Sequence, residues 1–199
     1  MSQDSKYIPG FYVNQNGDTV SGYFYTKDKS ALSNLKIKRD LSEKTSHTIS
    51  FDTCKVLSFG NDTYFNWYGK RGMAYISKFN FEIINIDSFV TEKIPLKLLY
   101  HGSYLSLYHY HDVTDHYFVG STNSVEELSI SYRYITDWEK MRYSINPPTY
   151  FINPIYRDQI ITLMSDKLTR KQKYLVESCE FDAISLIRLF KKVNHSFKE

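Results

Sequence analysis

The strongest constraint in this sequence is a change of hydrophobic period. Up to about Val119, apolar and aromatic residues tend to recur at every second position; after Pro154 they recur at about every 3.6 residues. Side chains two apart share one face of a strand, and the longer period marks one face of a helix. The chain therefore reads as an α+β protein. An antiparallel β meander forming a sandwich or partial barrel is expected in residues 7–120, followed by two or three C-terminal helices. The whole of 1–199 is read as a single domain, with a β-rich part over 7–145 and a helical part over 153–197.

Turn chemistry divides the first part. Asn14-Gln15-Asn16-Gly17-Asp18 separates two strand-like runs within Tyr7–Tyr25, and asparagine-glycine supplies the backbone that tight turns need. Further strands are expected at Leu35–Arg39, Thr48–Phe51, Cys54–Phe59, Tyr64–Tyr68 and Met73–Phe79, with Gly60-Asn61-Asp62 and Gly69-Lys70-Arg71-Gly72 as turns; Phe81–Val90 extends the series. Ile94–Tyr100, Ser103–His111 and His116–Val119 complete a three-stranded meander whose second turn is Asp112-Val113-Thr114-Asp115. Residues 124–138 show no clean period and receive no assignment, and Asn146-Pro147-Pro148 ends that stretch. Beyond it, Asn153 resembles a helix cap before Pro154, and Ile155, Gln159, Ile160, Leu163 and Met164 share one helical face. Phe181, Ile184, Ile187, Phe190 and Val193 share another, with Asp182 at its start and Lys191 and Lys192 at its end.

Composition supports the β reading, since 18 tyrosines and 13 phenylalanines favour pleated, half-buried surfaces. Twenty-five basic and 22 acidic residues are interspersed, so no single-sign field points to nucleic acid. No apolar run reaches membrane-spanning length. The two cysteines, Cys54 and Cys179, fit neither a redox nor a metal spacing, and either two buried thiols or one long-range disulfide accommodates them. The polar start Ser2-Gln3-Asp4-Ser5 is expected to belong to a mature chain whose signal peptide has been removed.

Two constellations carry chemistry. His109, His111 and His116 bracket the Asp112–Asp115 turn. A four-residue loop sets His111 opposite His116, gathering three imidazoles with Asp112 and Asp115 nearby, which is ligand chemistry for Zn²⁺ or Cu²⁺. Tyr64, Trp67 and Tyr68 lie on one aromatic strand, and a face showing Tyr64, Asn66 and Tyr68 to solvent offers a surface for a sugar or a partner chain; core packing is the commoner use of such residues. Serine nucleophile elbows and phosphate loops are missing from the sequence, and the adjacent Glu126 and Glu127 read as a solvated face. No catalytic motif is found, so the protein is not expected to be an enzyme.

Three segments resemble exported envelope proteins of the Bacteroidota. They are Pro9–Val13 leading to Asn16–Tyr23, the central Leu98-Leu99-Tyr100-His101-Gly102 with Leu105–Tyr110, and Phe181 with Ile184–Asn194. The resemblance implies a periplasmic or outer-membrane-associated location after export, and the short apolar runs lead to the expectation that the chain does not span the membrane. It implies no chemistry for any residue. Together with the aromatic strands it leads to the expectation of a non-catalytic binding or structural module of the bacterial cell envelope, with a protein or glycan partner and no cofactor. The alternative is a metal-binding protein using the histidine cluster.

Overall fold

The computed structural model describes residues 7–25, 32, 34–121, 124–143, 148–164 and 167–194. The polar start at Ser2–Ser5, Asn146 and Pro147, and the end of the expected helical part at 195–197 lie outside the described residues. Contacts divide the chain into two compact units, one of residues 1–69 and 92–98 and the other of 70–91 and 99–199.

The first unit contains β1 (Tyr7–Asn14), β2 (Thr19–Tyr25), β3 (Leu35–Lys38), β4 (His47–Ile49), β5 (Cys54–Phe59) and most of β6 (Asp62–Gly72). The β1–β2 turn closes where it is expected. The Asn14 carboxamide accepts the Asp18 N–H at 2.9 Å and donates to its carboxylate at 3.0 Å, so most of the turn's bonds are local, and Gln15 adds a longer-range one to the Asp52 carbonyl at 3.3 Å. Alternation then buries one face: Phe24, Leu35, Ile37, Leu57, Phe59 and Tyr64 form the core with Phe51 and Cys54. Phe59 stacks between Phe24 and Tyr64, with ring centroids 5.7 and 5.9 Å apart.

The second unit contains the two-stranded ladder of β7 (Tyr75–Ile76) and β8 (Ile83–Ile84). Part of β9 (Phe89–Tyr100), β10 (Ser106–His111), β11 (Asp115–Ser121) and β12 (Ser124–Leu128) follow, then the β13 (Ser131–Tyr134) and β14 (Tyr150–Asn153) pair. Its helices are α1 (Asp137–Lys140), α2 (Ile155–Leu163), α3 (Arg170–Glu177) and α4 (Ala183–Asn194). Leu107, Val119 and Leu128 from the strands meet Tyr156 and Ile160 of α2, Met164 just past its end, Val176 of α3 and Leu186, Leu189, Phe190 and Val193 of α4. In the first unit the strands hydrogen-bond in the order β6-β5-β1-β2-β3-β4, and in the second β10, β11 and β12 pair in succession. The fold is thus antiparallel β followed by three C-terminal helices, as the change of period implies. No helix among the described residues is long and apolar enough to cross a membrane.

Asn194 ties α4 to the strands. Its buried carboxamide oxygen accepts the N–H groups of Tyr104 and Leu105 at 3.2 and 3.0 Å, and its nitrogen donates to the Phe190 carbonyl at 3.0 Å. The approach is so close that a Cβ at residue 102 would stand 2.5 Å from the Asn194 oxygen and 2.2 Å from the Leu105 carbonyl, which only glycine avoids.

Several local expectations change. Residues 69–72 continue β6 instead of turning: Trp67 lies across Gly69, with ring atoms from 2.2 Å of where a Cβ would be, so here glycine marks close approach within a strand. Met73–Phe79 shortens to the two residues of β7. The unassigned stretch holds β12, β13 and α1, whose capping box of Thr136 and Glu139 was legible as Thr-x-x-Glu. Asn153 is no cap, because it pairs with Ser131, and an N–H of the first turn of α2, on Tyr156, goes to the Ser129 carbonyl at 2.7 Å. The buried stripe of α4 is rotated from the expected one, leaving Ile184 61% exposed. Both cysteines are free thiols in separate cores; burial pushes Cys54 up and Cys179 to about 11.

Two measurements check this account. Phe190→Ala should cost about 3–5 kcal/mol of unfolding free energy in urea, because a fully buried ring is deleted, whereas Ile184→Ala should stay within about 0.5 kcal/mol. The Arg133 guanidinium grips Glu139 with two bonds of 2.9 and 2.7 Å and, with the Thr136 N–H, holds its carboxyl at about 2. Its support of the α1 cap is therefore complete above the ordinary carboxylate pKa and lost as pH falls toward about 2. A carboxyl NMR titration should place Glu139 well below the usual range in the parent and return it toward that range in Arg133→Ala.

Candidate functional site

The β10–β11 hairpin positions the candidate histidines, and its register differs from the expected one. The ladder pairs His109 with Tyr117, Tyr110 with His116 and His111 with Asp115, so three residues, not four, form the loop. Asp112 explains the tighter loop: its carboxylate accepts the Thr114 N–H at 3.1 Å, and its own N–H donates to the Thr114 carbonyl at 3.2 Å. Because side chains alternate, a one-residue slip exchanges the faces. His109, His111 and Asp115 share one face, and His116 turns to the other.

On the first face, His109 Nε2 and His111 Nδ1 stand 2.8 and 2.9 Å from the same Asp115 oxygen. Burial works to raise the Asp115 carboxyl, but hydrogen bonds and charge from the two imidazoles outweigh it and hold it below the usual range. The His109 ring packs on Tyr117 at 5.3 Å, and Tyr117 meets Phe181 edge-on at 5.1 Å. The Tyr117 hydroxyl is pushed up to about 12 by burial, with Asp115 and Asp182 adding to the effect.

On the second face, His116 is buried at 6% exposure between two carboxylates. Its Nδ1 is 2.7 Å from Glu127 and its Nε2 3.2 Å from Asp112. Arg71, also buried, reaches Asp112 at 2.8 Å and His116 at 3.4 Å and lies over the Tyr110 ring, while Glu127 takes the Gly72 N–H at 2.6 Å. Burial would raise Asp112; the Thr114 N–H, His116 and Arg71 together hold it low. Sequence reasoning missed Arg71 and Glu127. Reading β12 as a strand would have separated Glu126 from Glu127, since neighbours point to opposite faces; for Arg71 only the flanking glycines gave a signal.

A cavity of about 280 Å³ opens beside this network. Phe89, Leu128, Ile130, Tyr132 and Phe181 supply its apolar wall, and Asp87, Ser88, Asp115, Glu127 and Ser131 its polar groups. Tyr64, Trp67 and Tyr68 are not among its lining residues. Tyr64 is buried against Phe59, and Asn66 donates to the Phe51 and Cys54 carbonyls at 3.0 and 2.8 Å, so the expected exposed row Tyr64-Asn66-Tyr68 does not exist. Trp67 is half-buried over Gly69, and Tyr68 alone of the three candidates is open to solvent, at 72%.

Compared with known protein families, curated proteins and solved structures, the chain matches none.

Removing one member of a buried charge group leaves the others uncompensated. Glu127→Ala should cost about 3–5 kcal/mol in chemical denaturation, and exposed Glu126→Ala no more than about 0.5 kcal/mol. Equal effects at the two positions would contradict the network.

Proposed function

We propose that the protein is a non-catalytic binding module of the bacterial cell envelope, and that the cavity beside His116 and Glu127 takes one sugar unit of an envelope glycan. The observation that carries the reading is the cavity itself. Its apolar wall with a few convergent polar groups is the usual composition of a small-ligand site. Phe89, Tyr132 and Phe181 line the cavity with apolar surface for the C–H side of a sugar, and the carboxylates and serine hydroxyls suit its hydroxyl groups.

Binding is favoured over catalysis because the titratable groups at the cavity's end are engaged with one another. His116 is held by carboxylates at both nitrogens, and both Glu127 oxygens have partners. A general base needs a lone pair facing substrate, and here each Glu127 oxygen already accepts a bond from within the network. The envelope assignment, a periplasmic or outer-membrane-associated location after export, rests on the three resembling segments.

Isothermal titration against a panel of envelope mono- and oligosaccharides should find at least one binder. Ala74→Trp, which fills the cavity from its lining, should weaken that binding by about tenfold or more, equivalent to about 1.4 kcal/mol. No binding by any sugar in the panel, or full affinity in a folded Ala74→Trp protein, would reject the proposal.

A further inference from the structure

We infer that His109, His111 and Asp115 form a divalent transition-metal site, with Zn²⁺ as the ion that the donor set suits. One donor atom from each residue lies within 4.8 Å of the other two. Tetrahedral zinc with bonds of about 2.1 Å holds its ligand atoms about 3.4 Å apart. The two imidazole nitrogens already stand 2.8 and 2.9 Å from the carboxylate oxygen, so moderate movement of the exposed His111 and Asp115 side chains away from the half-buried His109 admits an ion.

The arrangement is built by the ladder. His109 and His111 are two apart on β10, and the register puts Asp115 directly opposite His111. His109 is steadied by its packing on Tyr117, so one ligand is pre-oriented while His111, with its side chain 60% exposed, adjusts. Two imidazoles and one carboxylate favour Zn²⁺ or Cu²⁺ over Mg²⁺ or Ca²⁺, which prefer oxygen. Three protein ligands leave a coordination position open to water or to a donor from another molecule.

Without metal, the ionised Asp115 carboxylate only accepts, so each imidazole donates a proton toward it through the nitrogen that would ligate. Zinc binding requires those nitrogens free of protons, so the ion takes the place of both hydrogens. The ligand set differs from a three-histidine cluster because His116 faces the other way, with both nitrogens engaged by Glu127 and Asp112.

Titration of the full chain with zinc chloride tests this, read by calorimetry and by the ring-nitrogen NMR shifts of His109 and His111. One equivalent of Zn²⁺ is expected to bind at micromolar concentration, with no response to Mg²⁺ or Ca²⁺. His111→Ala, an exposed substitution that does not threaten folding, should weaken binding by at least about tenfold, as should Asp115→Asn. His47→Ala, at an exposed position on β4, should leave it unchanged. Absence of zinc binding, or binding that survives His111→Ala, overturns the inference. Zinc binding should persist in Ala74→Trp, and sugar binding in His111→Ala, so this result and that for the cavity stand or fall separately.

Discussion

The register of the β10–β11 hairpin governs the chemistry of the second unit. A ladder of period two allows two assignments of faces, and the loop between the strands chooses one. Here Asp112 folds its carboxylate onto the Thr114 N–H, which shortens the loop to three residues and pairs His111 with Asp115. With that pairing, Leu107, Tyr117 and Val119 face the helices, His109 and His111 extend the same face into solvent, and His116 joins Arg71 and Glu127 on the reverse. A slip by one residue would bury Asp115 and expose Tyr117 and Val119 in part; the apolar contacts with α2 and α4 oppose it.

The two faces use the same residue types to opposite ends. His116 is surrounded by groups whose capacities are matched, two carboxylates against an arginine and an imidazole, as burial demands. His111 and Asp115 are more than half exposed and His109 is half-buried, so their shared carboxylate is a weaker constraint than the bonds around His116. Burial turns one cluster into a structural fastening and exposure leaves the other available for binding. The cavity lies beside the fastened group, which gives its polar end a rigid boundary.

Asn194 shows how short motifs acquire meaning. The glycine of the central segment and the asparagine that ends the last helix stand 92 positions apart in the chain, yet each requires the other: Gly102 leaves room for the carboxamide that satisfies the Tyr104 and Leu105 amides. The role of both is packing.

Much of the architecture was legible in the residues. The period change, the Asn14–Asp18 turn, the strands β1–β3 and β5 and the C-terminal helices follow from local patterning, because alternation and turn chemistry act within a few residues. Helix faces were less legible: Ile184 fits the apolar stripe by spacing, but packing against β10 selects Leu186, Leu189 and Phe190 instead. The candidate site was legible in part. Residue types and spacing marked His109 and His111 on one face, while the identity of the third neighbour depended on register, which a single residue in the loop decides. Arg71 and Glu127 were out of reach, since they meet His116 from strands 45 and 11 residues away and nothing local announces a buried charge. What the sequence by itself determined was the succession of strands, turns and helices, whose causes are short-range. Which side chains share a face, which charges are buried together and where a cavity opens were decided only by the tertiary structure, because those depend on long-range pairing.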